Sequence, residues 1–306
     1  MDKPVIRAIF SDLDGTLIHF PIWFEKHGVS MSDADHEKHS AIVTNAQGES
    51  RRCRLLPKTT MGDGVVSDRT VELVAQLRKA GVLFFIVTGA RKSTVLERLP
   101  FLPDADAVVG ESGSRMYVEG KLDEEWQQRL LPVCGPIDRA MDPESRPEPL
   151  WKFCSLLKAR GFNVDTRSYF GCFRVDTKGD LEAEKSLRAL ISTEMPAEIN
   201  WAMNLAKFDF FPAGSGKQNA VAYLYADTPR LTPPLGASQF VNLCAGSHAH
   251  TVAQMRTQTQ AHTRARACLR PHARVPAPAR VRPCARTHAR PRERTRAHKC
   301  WTRRRR

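Results

Sequence analysis

Residues 4–12 form a near-continuous apolar run, with Val5, Ile6, Ala8, Ile9 and Phe10 ahead of Asp12. Such a run, without polar alternation, predicts a strand buried on both faces. The pattern returns at 82–89 as "VLFFIVTG". Between the two, "SDRTVELVAQLRKAG" sets Val71, Val74 and Leu77 at helical spacing, with a start signal at Ser67, a basic last turn and a stop at Gly81. A helix over "ARKSTVLERL" and strands over "DAVVGES" and "SRMYVEG" follow. Fully apolar strands alternating with helices predict an α/β fold whose parallel sheet is covered on both faces. Ligands of such sheets bind at the carboxyl ends of the strands, which is where Asp12, Asp14 and Thr88 fall.

The pattern changes elsewhere. Residues 19–57 are mixed, and "AIVTN" with "RRCRLLP" predicts a β-hairpin around Gly48. From about 126 the helix "PLWKFCSLLKARG", a hairpin in "FNVDTRSYFGCFRVDT" and the helix "DLEAEKSLRALISTEM" read as an inserted α+β unit. "LAKFDFFPAGSGKQNAVAYLYA" then predicts a strand, a glycine-rich loop and a helix beginning near Lys217, and "QFVNLC" a last strand. The expected organisation is a Rossmann-like core over 1–125, an α+β cap over 126–207, the second part of the core over 208–250 and a disordered tail over 251–306. The core is expected to be incomplete at its C-terminal end.

Composition sharpens the last of these. The formal charge of +14 suggests an anionic partner, but residues 251–306 hold 17 Lys and Arg against one acid, and the first 250 residues hold 30 basic against 32 acidic side chains. The globular part is therefore close to neutral. The tail is Arg, Ala, His, Thr and Pro with almost no large aliphatics, which cannot offset chain entropy by burial. Its Cys268, Cys284 and Cys300 recur every 16 residues, as in translated repetitive DNA. The eight cysteines form no CxxC pair and the ten histidines no metal-ligand spacing. With no signal-peptide pattern and no apolar run of membrane-spanning length, a cytoplasmic protein without membrane contact is expected.

The candidate chemistry lies in "FSDLDGT". A carboxylate can attack phosphorus and form an aspartyl-phosphate, and a second carboxyl beside it can protonate the leaving oxygen and then activate water. Two carboxylates facing a phosphate repel it by roughly 4 kcal/mol per pair at about 4 Å and an effective dielectric of about 20. Cations are required, Mg2+ being the usual oxygen-bound one. "GSGK" is not a P-loop, because Phe211 stands at its leading position and Gln218 follows the lysine.

"DLDGT" closing an apolar strand, Thr88 in "FIVTGA" and Lys217 in "PAGSGKQNAVAYL" together resemble the first three motifs of the haloacid dehalogenase-like phosphatases. The long gap between the last two resembles the subgroup with a large α/β cap, which includes Cof-type sugar phosphatases and sucrose-phosphate phosphatases. "PDADAVVGESGSRMY", "DEEWQQRL" and "GSGKQNAVAYL" look most like the sucrose-phosphatase-like branch. The resemblance spans roughly residues 1–245. It implies Asp12 as nucleophile and Mg2+ ligand, and Asp14 as general acid/base whose backbone carbonyl also meets the metal. It implies Thr88, Gly89 and Lys217 as phosphate holders. The substrate implied is a small phosphorylated metabolite, with Arg167, Tyr169, Asn204 and Lys207 as cap candidates for selecting it.

The pattern breaks at the fourth motif, an acidic cluster after the next strand. "QFVNLC" is followed by Ala245, Gly246, Ser247 and His248, and the only later Asp after Lys217, Asp227, comes too early. No fourth-motif acid is found, which coincides with the onset of the tail and points to an intron or shifted frame near codon 245. Two alternatives follow: a catalytically impaired remnant, and non-specific nucleic-acid binding through the basic tail, whose single aromatic, Trp301, offers little base stacking.

Overall fold

The computed structural model describes residues 6–59, 61–136, 141–204, 206–227 and 240–243. The expected fourth-motif stretch (245–248) and the tail (251–306) lie outside the described residues.

Strand β1 (Ala8–Ser11) is buried at every position. Its first neighbours in sequence are the short helix α1 (Pro21–Phe24) and strands β2 (Ser30–Asp35), β3 (Ser40–Thr44), β4 (Ser50–Leu55) and β5 (Val65–Ser67). These four strands form an antiparallel sheet of their own, β2-β3-β4-β5. The hairpin expected around Gly48 is its β3–β4 pair, with Thr44 opposite Ser50. His19 and Val65 exchange backbone hydrogen bonds at 3.0 and 2.9 Å, so this sheet is an insertion rooted directly behind the Asp12–Asp14 loop.

Helix α2 (Asp68–Lys79) and strand β6 (Leu83–Val87) follow, then α3 (Lys92–Arg98), β7 (Ala107–Gly110), β8 (Arg115–Val118), β9 (Lys121–Leu122) and α4 (Glu124–Cys134). β6 runs parallel to β1 with Ala8 opposite Leu83, and β7 parallel to β6 with Phe85 opposite Ala107. The two-residue period of a strand explains the two covered faces. Phe10, Phe85 and Val87 pack on one side with Met116, Trp126 and Leu130. Ile9, Phe84 and Ile86 pack on the other with Leu13, Ile18 and the α2 residue Val74.

The inserted unit contributes α5 (Pro149–Ala159), β10 (Val164–Asp165), β11 (Phe173–Val175), α6 (Leu181–Glu194), β12 (Ile199–Asn204) and β13 (Lys207–Pro212). Its antiparallel sheet has the order β10-β11-β13-β12. The strand expected to return to the parallel sheet, β13, instead pairs with β11 and with β12 as a hairpin. An apolar strand fits either sheet, and the hairpin with β12 decides between them, so the expected boundary at 207/208 falls inside this hairpin. The chain rejoins the core sheet with α7 (Lys217–Asp227) and β14 (Phe240–Leu243), the latter parallel to β1 with Ala8 opposite Phe240. Among the described residues the core sheet has the order β14-β1-β6-β7-β8-β9, the α/β architecture with an α+β insertion that the sequence pattern predicts. No helix among them is long and apolar enough to cross a membrane.

Candidate active site

β1 ends at Ser11 and the chain coils tightly. The backbone N–H groups of Thr16, Leu17 and Ile18 all donate to the Leu13 carbonyl at 2.9–3.1 Å, and Gly15 (φ +79°) closes the coil by donating to Ile18. Leu13, Leu17 and Ile18 are buried and anchor the loop in the core. Asp12 and Asp14, on either side of Leu13, are left partly exposed.

Asp12 is held by two donors. Its Oδ1 accepts from the Leu13 N–H at 2.8 Å and its Oδ2 from Lys217 Nζ at 2.5 Å. Lys217 is the first residue of α7, so the contact joins positions 205 residues apart in sequence. Asp14 Oδ1 accepts from Arg98 Nη1 at 2.8 Å. Burial raises the pKa of the Asp14 carboxyl; Arg98 opposes that rise and the neighbouring Asp12 adds to it. A carboxyl that keeps its proton more readily suits an acid that must give one up.

Thr88 lies one residue past β6, beside the carboxyl end of β1, and is buried. Its Oγ1 accepts from the Ala90 N–H at 3.1 Å, which leaves the hydroxyl proton available to an incoming oxygen. Gly89 is buried next to it. The expected residues therefore gather at neighbouring strand ends, with a direct contact recorded for Asp12 and Lys217.

Three features are not apparent from the sequence. Arg98 is the first; it looks like an ordinary basic residue in a helix's last turn, and its only signal is the i+3 spacing from buried Val95, which puts a charge on a buried face. The second is the loop after β7, where Glu111, Ser112 and Gly113 all have positive φ (+52°, +54° and +100°). Gly113 lies so close to Gly216 that a Cβ on it would stand 2.5 Å from Gly216 backbone atoms. The Glu111 carboxylate, fully buried, accepts the N–H groups of Phe170 and Gly171 at 2.9 Å each, tying the cap loop to the core. Burial raises its pKa and Arg115 counters the rise.

The third is a core–cap latch. Arg91, three residues after Thr88, donates to Asp165 Oδ2 at 2.6 Å and to the Arg167 carbonyl at 2.8 Å, and its guanidinium lies over the Tyr169 ring. Of the cap candidates, Arg167 and Tyr169 are thus beside the Thr88 loop. Lys207 instead pairs with Asp176 at 2.9 Å, and the Asn204 side chain lies outside the described residues.

Among the described residues no group of three or more His, Cys, Asp and Glu side chains is placed to hold a metal ion. The Asp12 carboxylate and the Asp14 carbonyl are hard oxygens at one loop. They suit Mg2+, which keeps several waters and takes one or two carboxylates plus substrate phosphate. In donor chemistry the residues fit the ion that the motif resemblance implies.

The chain matches no protein family model and no curated protein. Among solved structures it is similar to the sucrose-phosphatase from Synechocystis sp. PCC6803 in complex with sucrose and phosphate, at 14% identity over 78% of this chain and 75% of that one, with a TM-score of 0.47. It is similar to a haloacid dehalogenase-like hydrolase from B. subtilis at 10% identity, covering 82% and 87%, with a TM-score of 0.48. The C-terminal domain of C. albicans trehalose-6-phosphate phosphatase gives 14% identity, 88% and 79%, and 0.43. At such identities and TM-scores, function has to be read from the chain's own residues.

Proposed function

We propose that this chain is a haloacid dehalogenase-like phosphatase that hydrolyses a small phosphomonoester, a sugar phosphate by the motif resemblance, through an aspartyl-phosphate on Asp12. The observation that carries the reading is the Asp12–Lys217 contact at the carboxyl end of β1, with Asp14 two residues away in the same coil.

In this reading an Asp12 carboxylate oxygen attacks phosphorus while the ester P–O bond breaks. The proton on Asp14 goes to the leaving oxygen, so the alcohol departs neutral. Lys217 offsets the repulsion between Asp12 and the phosphate, and the Thr88 hydroxyl and the neighbouring backbone at Gly89 hold phosphoryl oxygens. Asp14, now a carboxylate, takes a proton from water as that water attacks phosphorus, which returns Asp12 and releases inorganic phosphate. Mg2+, held by Asp12 and the Asp14 carbonyl, would supply further charge neutralisation at the phosphoryl oxygens. The cap loop held by Arg91 and Glu111 supports exclusion of water and of bulky esters.

The test is phosphate release from a panel of sugar phosphates and p-nitrophenyl phosphate, with Mg2+ and with a chelator. The expected result is Mg2+-dependent release that disappears in Asp12→Asn. Absence of release from every ester, or undiminished release in Asp12→Asn, overturns the reading.

A further inference from the structure

We propose that Arg98 is the positioning residue for the acid/base carboxylate, dedicating Asp14 Oδ1 to anchorage and leaving Oδ2 to exchange protons with the reacting oxygens. The proposal rests on the phosphatase reading above and adds to it a residue that touches neither phosphate nor metal.

The geometry is specific. Arg98 Nη1 donates to Asp14 Oδ1 at 2.8 Å, from a side chain that is only 6% exposed. Its guanidinium lies over the ring of Phe20, which is itself fully buried. Gly64, at the root of the inserted sheet, presses on that ring so closely that a Cβ there would meet Phe20 Cε1 at 2.8 Å. Asp14 therefore sits at the end of a packed column of Gly64, Phe20 and Arg98. A free aspartate on a coil would sample several rotamers, and one held by a braced guanidinium does not. Arginine suits this duty because its planar fork stays charged and pre-organised. A purely stabilising role is the weaker explanation, since burying an ion pair costs about as much as it returns.

The division of labour makes the proton transfer concrete. In the first half-reaction the proton on Oδ2 passes to the leaving oxygen as the P–O bond breaks, and the resulting carboxylate stays paired with Arg98 through Oδ1. In the second, water loses a proton to Oδ2 while its oxygen attacks the phosphorus of the Asp12 acyl phosphate. The bond between phosphorus and the Asp12 oxygen breaks, and the Asp12 carboxylate and inorganic phosphate are released. No further reagent is needed.

The experiment compares kcat/KM, which reports transfer to Asp12, for glycerol 3-phosphate and for 2,4-dinitrophenyl phosphate. Dinitrophenolate leaves without being protonated, so a fault in proton delivery spares it. In Arg98→Ala we expect the alkyl ester to lose about 100-fold or more and the dinitrophenyl ester to lose less than about threefold, the pattern of a displaced general acid. Asp14→Asn should show the same selectivity, and added methylguanidine should restore part of the alkyl-ester rate in Arg98→Ala. Arg98→Lys, which keeps a cation but not the fork, covers the case in which the alanine variant does not fold, and should again lose more on the alkyl ester. Equal losses on both esters, or no restoration by methylguanidine in a folded Arg98→Ala, overturn the proposal while leaving the phosphatase reading intact. A parent chain that releases phosphate from neither of these esters nor from any sugar phosphate of the panel overturns that reading and the proposal with it. Where a sugar phosphate is the alkyl ester turned over, it takes the place of glycerol 3-phosphate.

Discussion

Replacing Gly113 by alanine should damage the site through the backbone alone. Gly113 sits at φ +100°, and a Cβ there would lie 2.5–2.6 Å from the C, O and N atoms of Gly216. Carbon contacts are comfortable at about 3.5–4.0 Å, so one of the two loops must retreat by roughly 1 Å. Overpacking of this kind costs about 1–3 kcal/mol, and holding an alanine at positive φ adds about 1–2 kcal/mol. The sum of about 2–5 kcal/mol corresponds to roughly 5–15 °C of melting temperature in a domain of this size. Gly216 immediately precedes Lys217, so the same retreat carries the ammonium away from Asp12, and a displacement of about 1 Å at a positioned group can cost about 100-fold in rate. Gly81→Ala is the control, because Gly81 has φ +88° with nothing within 4 Å of the added Cβ. It should show the strain alone and leave phosphate release unchanged. Urea unfolding and phosphate release of both variants decide the matter. If the two lose the same stability and Gly113→Ala keeps its activity, the Gly113–Gly216 approach does not place Lys217.

Lys217→Ala should lower phosphate release by about 100-fold or more, the scale of removing one electrostatic partner of a developing charge, while retaining the far-ultraviolet circular dichroism of the parent. Burial works against ionisation of Asp165, but the hydrogen bonds from Arg167 and Arg91 outweigh it and hold the carboxyl well below the usual range. A depressed carboxyl pKa contributes stability above its unfolded value of about 3.9, and loses it as pH falls through the folded value. Asp165→Asn should therefore unfold at lower urea than the parent at pH 7, with the gap closing as pH drops below about 4. Burial pushes the Cys134 and Cys154 thiols up to about 12; at pH 8 both should resist iodoacetamide in the folded chain and react in urea, as read by peptide mapping.

The parts of this molecule legible in its sequence are those set by local pattern. The unbroken apolar runs that became β1 and β6 need cover on both faces, and a parallel sheet is the arrangement that gives it. The hairpin at Gly48 and the helix start at Lys217 are likewise short-range signals. Asp12 and Lys217 are singled out in the sequence by the motif resemblance, and in the fold their side chains meet. Arg98 was not, since its partner Asp14 lies 84 residues away and only the folded core shows that the helix face carrying it is buried. β12 leaves no clear sequence signal, because "INWAMN" mixes polar and apolar residues without clean alternation, and the destination of β13 is hidden with it. The positive φ at Glu111 and Ser112 left no trace either, since neither is a residue that advertises such a conformation.

In the proposed reaction Asp12 carries the phosphoryl group. Incubating the chain with Mg2+ and a 32P-labelled phosphomonoester, quenching in acid and mapping the label by peptide tests it most directly. The expected result is a hydroxylamine-labile phosphate on the peptide containing Asp12, absent in Asp12→Asn. Phosphate release with no label on that peptide, or label persisting in Asp12→Asn, would contradict it.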